Sequence, residues 1–318
     1  MIFGHTHIIA YFSHIIESRH PAHAYLFFGP PRVGKSTVAL WFAKSLLCFT
    51  KKAHFCDTCQ SCFSFDKKNH PDFFLMGPSN ESKGITIADI RLIHEKISKT
   101  ALLGGYKIVC IDDAHTLLPE ASHALLKILE EPPSNTIFIL ITPYPSLILP
   151  TIRSRSEPIR YSMVQDNDIM SALSSQFSEE QKKFIVRIST GKIGFARELT
   201  KEKIHDIIND LSCIVAVIKT APYKKLTQND EKLKNNAHSS LVYAAGIIRD
   251  IVLIKEGCAT LTTYTFLKKE LTALSLRFSY VTLLSALDYI VSMTRFLKQN
   301  VNTSLVWNNF FLLFNNKN

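Results

Sequence analysis

The sequence has no long uninterrupted apolar segment. A membrane-spanning helix needs about 18 consecutive apolar residues, and the longest apolar run, from Ile137 to Pro150, is interrupted by Pro143 and Pro145. The N-terminal segment MIFGHTHIIAYFSHIIESRH also lacks the basic leader and the small-residue cleavage site of a secretion signal. From these two absences we expect a cytoplasmic protein that has no membrane partner.

Several enzyme signatures are also missing. The twelve histidines show no pair at catalytic or metal-binding spacing, and there is no serine or cysteine nucleophile motif. The chain has no recognisable polymerase carboxylate constellation, no internal repeat and no low-complexity tail. Its 318 residues, with 46% hydrophobic and 20% charged, have the composition of a globular protein of two or three domains.

The charge of the chain is unbalanced. Lysine and arginine total 37 against 27 acidic residues, so the formal net charge is +10. Such a surplus favours polyanionic partners, nucleic acid before membrane, and says nothing about the fold.

Short apolar runs alternate with helical patterns in the first half of the chain. The runs Ala24–Gly29, Lys107–Asp112 and Thr136–Thr142 predict strands that are buried on both faces. Helical patterns follow the first run and also occupy Ile87–Ile97 and Ala121–Glu131. Strands separated by helices predict an α/β domain whose parallel sheet is covered by helices on both faces.

After about residue 160 the strand signal disappears and the pattern becomes helical. We expect a nucleotide-binding α/β domain over residues 1–160, a small helical lid over 161–203 and an all-α C-terminal domain over 204–318. The polar stretch 226–240 is expected to contain an exposed loop.

One segment matches the pattern G-x-x-x-x-G-K-[ST] between a predicted strand and a predicted helix. This phosphate loop consists of Gly29, Pro30, Pro31, Arg32, Val33, Gly34, Lys35, Ser36 and Thr37. Its glycines permit backbone conformations that turn amide groups towards a phosphate, Lys35 would meet the β- and γ-phosphates of ATP, and the Ser36 hydroxyl would bind Mg²⁺. The N-terminus of the following helix would add positive potential. The alternative is a glycine-rich turn that matches by chance.

Two carboxylates, Asp112 and Asp113, follow the second predicted strand. In a protein with a phosphate loop, the first would hold Mg²⁺ through water and the second would polarise the attacking water. The alternative is a pair of solvated aspartates at the end of a strand.

Four of the seven cysteines form the pattern C-x7-C-x2-C-x2-C within residues 48–62, which we name the cysteine module. Its members are Cys48, Cys56, Cys59 and Cys62. Four close thiolates suit a structural, tetrahedral Zn²⁺ site and leave no open position for catalysis. A redox C-x-x-C pair and unrelated buried thiols are the alternatives. The remaining cysteines lie in apolar stretches and are expected to be core thiols; they are Cys110, Cys213 and Cys258.

Together, these motifs resemble the bacterial clamp-loader branch of the AAA+ proteins. The densest similarity is carried by His23–Thr37, the cysteine module, Ile85–Ile93, Gly104–Leu117, Ala121–Pro133 and Phe138–Ser156. The run ALLKILEEPP followed by LPTIRSR is the most specific combination. Weaker similarity to the family's collar helices at Gly246–Gly257 and Arg295–Leu305 extends the resemblance over nearly the whole chain.

The resemblance implies a subunit of an ATP-driven hetero-pentamer with gamma/tau and delta subunits as partners. Such a machine opens a ring-shaped sliding clamp and places it on primer-template DNA, and the all-α domain would be its oligomerisation collar. In the family's pattern, Thr142 falls at the sensor of the γ-phosphate. Arg155 falls at the arginine finger, which reaches the ATP of a neighbouring subunit.

Some positions depart from the family's pattern for a hydrolysing subunit. Ser156 replaces a cysteine beside the finger, which leaves the chemistry of the arginine unchanged. Asp113 stands where an active ATPase carries glutamate, so the carboxylate is withdrawn by about 1.5 Å, the length of one C–C bond. A positioning error of about 1 Å can cost roughly a hundredfold in rate. Gly194 stands where hydrolysing subunits carry a second sensor arginine, and Arg197 follows one turn later.

These departures favour a stator that binds nucleotide and supplies a finger in trans over a subunit that hydrolyses ATP rapidly. The first alternative is the gamma/tau-type motor ATPase of the same loader, which the intact phosphate loop supports. A second alternative is a zinc-containing nucleic-acid-binding module unrelated to clamps. That reading uses the charge and the cysteines but leaves ALLKILEEPP and the phosphate loop unexplained.

Overall fold

The computed structural model describes residues 2–50, 53–78, 84–103, 105–220, 237–296 and 302–314. Within these ranges five strands form one sheet. They are β1 (Ala24–Phe28), β2 (Phe73–Met76), β3 (Lys107–Ile111), β4 (Thr136–Thr142) and β5 (Glu157–Arg160). All neighbouring strands are parallel, in the spatial order β2–β3–β4–β1–β5. The predicted parallel α/β sheet is therefore confirmed.

The three central strands are the ones that the sequence predicts. β3 and β4 are buried throughout, and β1 is buried except at its last residue. Apolar clusters lie on both faces of the sheet, one containing Phe27 and Phe42 and the other containing Leu125 and Phe138. Because both faces are covered, these strands read as continuous apolar runs.

The two edge strands are missing from the sequence prediction. β2 is largely half-buried, and β5 has a single buried residue, Ile159. Neither strand therefore carries a continuous apolar signal. Pro158 suits an edge strand because proline has no backbone N–H to donate, and an edge strand has a neighbour on one side only.

Helices make up most of the remaining described structure. In chain order they are α1 (Thr6–Ser18), α2 (Lys35–Leu47), α3 (Gln60–Asp66), α4 (Ile87–Ile97), α5 (Pro119–Glu130), α6 (Pro150–Ser154), α7 (Asp166–Ala172), α8 (Glu179–Ser189), α9 (Ile193–Glu198), α10 (Lys201–Thr220), α11 (Ala237–Lys255), α12 (Lys268–Arg277), α13 (Tyr280–Phe296) and α14 (Thr303–Leu312). α4 has the predicted bounds because Thr86 and Asp89 form a capping box at its start. α5 ends just before Pro132 and Pro133, which cannot continue a helix.

The chain divides into two compact units. The first contains residues 1–176 and 189–198, and the second contains 177–188 and 199–318. The sheet belongs to the first unit, whereas the described part of the second unit has no strand. The predicted division at residues 160 and 203 remains a prediction. Most of the predicted loop at 226–240 lies outside the described residues, and its end, residues 237–240, begins α11.

The second unit has an aromatic core of its own. The rings of Trp307 and Phe311 stack with centroids 5.4 Å apart, and Phe310 packs 5.3 Å from Phe314.

No single helix in the described ranges is long and apolar enough to cross a membrane. By length and composition alone, one bent pair, Thr265–Arg277 with Tyr280–Thr294, passes that test.

Phe12 of α1 provides a test of the packing in the first unit. Its ring is fully buried and lies 4.2 Å from the ring of Phe42 and 5.4 Å from that of Phe27, measured between centroids. Truncation of a buried phenylalanine to alanine costs about 3–5 kcal/mol. We expect Phe12→Ala to lower the free energy of unfolding of this unit by that amount in urea titration. Phe63→Ala, at a side chain that is 59% exposed, should cost less than about 1 kcal/mol.

Candidate nucleotide site and cysteine module

The predicted nucleotide-binding residues meet at one edge of the sheet. Gly29 follows β1, Asp112 follows β3, and Thr142 is the last residue of β4. β1 pairs with β4 in a register that places Phe28 beside Thr142. Because the carboxyl ends of parallel strands lie along the same edge, the topology gathers these residues into the usual ligand-binding position of an open α/β sheet.

The backbone of the phosphate loop requires its glycines. Gly29 has φ 142°, and a Cβ atom there would lie 2.2 Å from the carbonyl oxygen of Tyr161. Gly34 has φ 104° and precedes the first residue of α2. Both conformations are unfavourable for residues with a side chain, so the turn before α2 requires glycine at these two positions.

Lys35 occupies the interior of this loop. It is buried, and its Nζ donates hydrogen bonds to the carbonyl oxygens of Gly29 at 2.8 Å and Pro30 at 2.7 Å. Burial lowers the pKa of Lys35, and the charges of Asp112 and Asp113 oppose that shift. The ammonium group thus lies inside the loop, with two of the loop's carbonyl oxygens as its acceptors.

Ser36 and Asp112 form the pair that a magnesium site requires. The Ser36 hydroxyl donates to Oδ2 of Asp112 at 3.0 Å. Oδ1 of Asp112 accepts the backbone N–H of Asp113, also at 3.0 Å. A hydroxyl and a carboxylate oxygen are hard ligands suited to Mg²⁺, so these two side chains fit the ion and can share it directly or through water.

Asp113 follows Asp112 with a left-handed backbone conformation. Its φ is 49°, and its carboxylate Oδ1 lies 3.9 Å from Nδ1 of His115. The His115 ring meets the Tyr144 ring edge-on with centroids 5.0 Å apart, and its buried Nδ1 has no hydrogen-bond partner in the described part of the chain. His115 lies two residues after Asp113 in the sequence, and this short spacing is the signal from which their proximity could have been predicted.

Thr142 lies at the predicted sensor position. Its side chain is fully buried, and its Oγ1 accepts the backbone N–H of Tyr144 at 3.0 Å. The hydroxyl is therefore oriented by the turn that follows β4.

Arg155 directly follows α6, and its side chain contacts Glu130 and Thr151. Its Nη2 lies 3.0 Å from Oε1 of Glu130, and its Nη1 donates to the carbonyl oxygen of Thr151 at 3.2 Å. The side chain is 38% exposed. The guanidinium is thus presented at the surface, paired with a glutamate that sequence reasoning did not single out.

Gly194, in the first turn of α9, contacts the phosphate loop. Its N–H donates to the carbonyl oxygen of Arg32 in the phosphate loop at 2.8 Å, and a Cβ atom there would lie 2.9 Å from that oxygen. An ion pair of 3.1 Å between Arg32 and Glu198 ties the same two segments together. A side chain at this position would therefore require the backbone of the phosphate loop to shift.

The cavity between the phosphate loop and α9 is small. Its volume is about 40 Å³, and its lining includes Gly34, Thr37, Ile193 and Arg197. Ligand pockets usually enclose about 300–1,000 Å³. This cavity is therefore smaller than a typical ligand pocket.

The four thiols of the cysteine module converge, as predicted. Their sulfur atoms all lie within 4.8 Å of one another, with 3.9 Å between Cys48 and Cys59 and 4.0 Å between Cys56 and Cys62. Zn–S bonds of about 2.3 Å in a tetrahedron place sulfurs about 3.8 Å apart. The donor set and its spacing therefore fit Zn²⁺.

Backbone N–H groups donate to two of the four sulfur atoms. The Cys56 sulfur accepts the N–H of Cys59 at 3.3 Å, and the Cys59 sulfur accepts the N–H of Cys62 at 3.4 Å at the start of α3. Hydrogen bonds from Thr58 lower the pKa of Cys56 to about 5, whereas burial raises the pKa of Cys62 to about 12. Outside the module, Cys110 is buried as expected, but Cys258 is exposed, so its prediction as a core thiol is wrong.

Comparison with known proteins places these features in a family. The model described as "DNA polymerase III, delta subunit" matches residues 4–165. A DNA polymerase III subunit delta' from Pseudomonas aeruginosa is 40% identical over 135 residues, which cover 42% of this chain and 41% of the relative. The delta' subunit of Bacillus subtilis is 34% identical over 186 residues, covering 58% and 56%.

A second subunit type also shows similarity. A DNA polymerase III subunit gamma/tau from Mycobacterium tuberculosis is 32% identical over 181 residues, which cover 57% of this chain and 31% of the relative. The chain thus spans about half, or less, of the length of these curated relatives.

Gly194→Ala tests the contact that closes the nucleotide site. Helix propensity alone would make alanine stabilising by up to about 1 kcal/mol, whereas overpacking against the Arg32 carbonyl should cost about 1–3 kcal/mol. The atom that the added methyl group would meet belongs to the backbone, which cannot move aside as easily as a side chain. We therefore expect a net decrease in the free energy of unfolding, measured in urea. Gly105→Ala, where a Cβ atom would have nothing within 4 Å, is the matched control and should stay within about 0.5 kcal/mol of the parent. A stabilised Gly194→Ala variant would contradict this contact.

Proposed function

The chain belongs to the DNA polymerase III delta subunit family, and we propose that it is the delta prime-type subunit of a bacterial clamp loader. In this role it would help to load a sliding clamp onto primed DNA in an ATP-dependent reaction. The observation that carries the proposal is the contrast between two sites: Arg155 is presented at the surface, whereas the chain's own nucleotide site is closed by Gly194.

The finger chemistry follows from the placement of Arg155. A guanidinium delivered across a subunit interface stabilises charge on the transferring phosphoryl group, and such fingers are worth about 10³–10⁵ in rate in favourable systems. The exposed ion pair with Glu130 is worth no more than about 1 kcal/mol. A neighbouring nucleotide can therefore draw the guanidinium away from Glu130 at small cost.

The chain's own hydrolysis is proposed to be weak. Asp113 offers a shorter carboxylate than glutamate, and α9 contributes Gly194 where a sensor side chain would stand. We infer that ATP binds only when α9 moves off the phosphate loop. Lys35 would then exchange its two carbonyl acceptors for phosphate oxygens, while Ser36 and Asp112 would hold Mg²⁺.

The second unit is proposed to be the collar through which the gamma/tau and delta subunits assemble. Apolar side chains lie exposed on its helices, including Leu276 on α12 and Val281, Leu284 and Val291 on α13. Exposed apolar groups that cluster on neighbouring turns are typical of protein interfaces. The sliding clamp and primer-template DNA would be reached by the assembled complex, consistent with the net charge of +10.

The second candidate is the gamma/tau-type motor. The intact phosphate loop and the similarity to a gamma/tau subunit over 181 residues favour it. The two candidates differ in which residue limits the rate of the complex, so substitution of that residue separates them.

The cysteine module is proposed to hold one structural Zn²⁺ ion. When bound, the ion would cross-link the end of α2 to α3, since Cys48 caps the former and Cys59 caps the latter. Metal binding would then add to the stability of this segment.

Arg155→Ala tests the proposed role in a loader reconstituted with clamp and primed DNA. We expect assembly and ATP binding to be retained while DNA-stimulated ATPase and clamp-loading rates fall sharply, because the variant removes the finger without touching a nucleotide site of its own. Asp113→Asn should lower both rates less. Arg153→Ala, in the same short helix, is the matched control for loss of charge and should leave both rates within about twofold of the parent. If Asp113→Asn proves more damaging than Arg155→Ala, the chain is a motor.

Elemental analysis of protein purified without chelator tests the metal proposal. Near-stoichiometric zinc is expected, and Cys59→Ser should lose most of it because three thiolates hold a tetrahedral ion less well. Cys213→Ser, outside the module, should retain it. A metal-free wild-type chain that is fully folded would show that the module works without zinc.

A further inference from the structure

Lys44 makes an unusual set of contacts between α2 and the cysteine module. It lies one turn before Cys48, and its side chain is only 10% exposed. Its Nζ is 2.5 Å from Oδ1 of Asp57 and 2.7 Å from Oδ1 of Asp66. The same atom lies 4.1 Å from the centroid of the Phe55 ring. One ammonium group therefore donates to two carboxylates and contacts the face of an aromatic ring.

One acid lies within the cysteine module and the other lies just beyond it. Asp57 follows Cys56 directly, in the loop that approaches α3, whereas Asp66 is the last residue of α3, one turn beyond Cys62. Lys44 therefore connects both flanks of the metal-binding loop to α2, the helix that also presents Cys48.

The energetics of this arrangement depend on the pairing. A buried ammonium is costly unless it is paired, and Lys44 is the buried member of this cluster, because the side chains of Asp57 and Asp66 are 61% and 57% exposed. Burial by itself lowers the pKa of Lys44, but the hydrogen bonds to Asp57 and Asp66 outweigh that effect and raise it. The group is therefore charged at neutral pH.

We propose that Lys44 is a positioning residue for the metal site: it holds both flanks of the cysteine module on α2 so that the four thiolates converge. The inference rests on the zinc proposal above.

Zinc transfer from the full-length, zinc-loaded chain to a chromogenic chelator tests the proposal. Loss of groups that orient metal ligands typically costs about 10–100-fold in metal affinity, so Lys44→Met should release zinc at least about tenfold faster. Lys44→Arg, which keeps the charge, should stay near the parent rate. Asp66→Asn introduced into Lys44→Met should recover part of the loss, because it removes one of the uncompensated carboxylates.

The matched control is Lys67→Met, which removes a lysine of the same segment that lies 4.1 Å from the ring centroid of Phe63. It should leave the release rate within about twofold of the parent. Should Lys44→Met not fold, Asp66→Asn alone is expected to speed release several-fold. Zinc-loaded Lys44→Met that releases its metal at the parent rate would overturn the role of Lys44 while leaving the zinc proposal intact. A wild-type chain without zinc would overturn both.

Discussion

The contact between the Gly194 amide and the Arg32 carbonyl is the constraint on which the proposed function depends most. At 2.8 Å it holds α9 against the phosphate loop, and the cavity between them has a volume of about 40 Å³. In the proposed function, the site that contains Ser36 and Asp112 has to open before ATP can enter. Arg155, in contrast, is already presented at the surface.

α2 connects the two chemical features of the first unit. Its first turn carries Lys35 and Ser36, and its last turn leads into Cys48. Lys44, near the end of the same helix, holds the flanks of the cysteine module through two carboxylates. A helix is stiff over this length, so an ordered cysteine module fixes the end of the element whose beginning forms the phosphate loop.

Local patterns were sufficient to predict the parts of the molecule that depend on local physics. Three strands follow from continuous apolar runs, and the convergence of Ser36 with Asp112 follows from the parallel sheet. The edge strands β2 and β5 escaped prediction because partial exposure removes their apolar signal. Contacts such as Glu130 with Arg155 and Gly194 with Arg32 join residues that only the tertiary fold brings together. The clamp-loader resemblance is confirmed by the family match, whereas the two domain boundaries and the roles of individual residues remain predictions.

Steady-state ATP hydrolysis by the isolated full-length chain with Mg²⁺ tests the central claim most directly. If the site is closed and weakly catalytic, turnover by the parent chain should be close to that of Lys35→Ala, which lacks the ammonium that faces the phosphates. Repeated rapid turnover by the parent chain, lost in Lys35→Ala, would contradict the account, because it would show that α9 opens readily and that the chain is a motor.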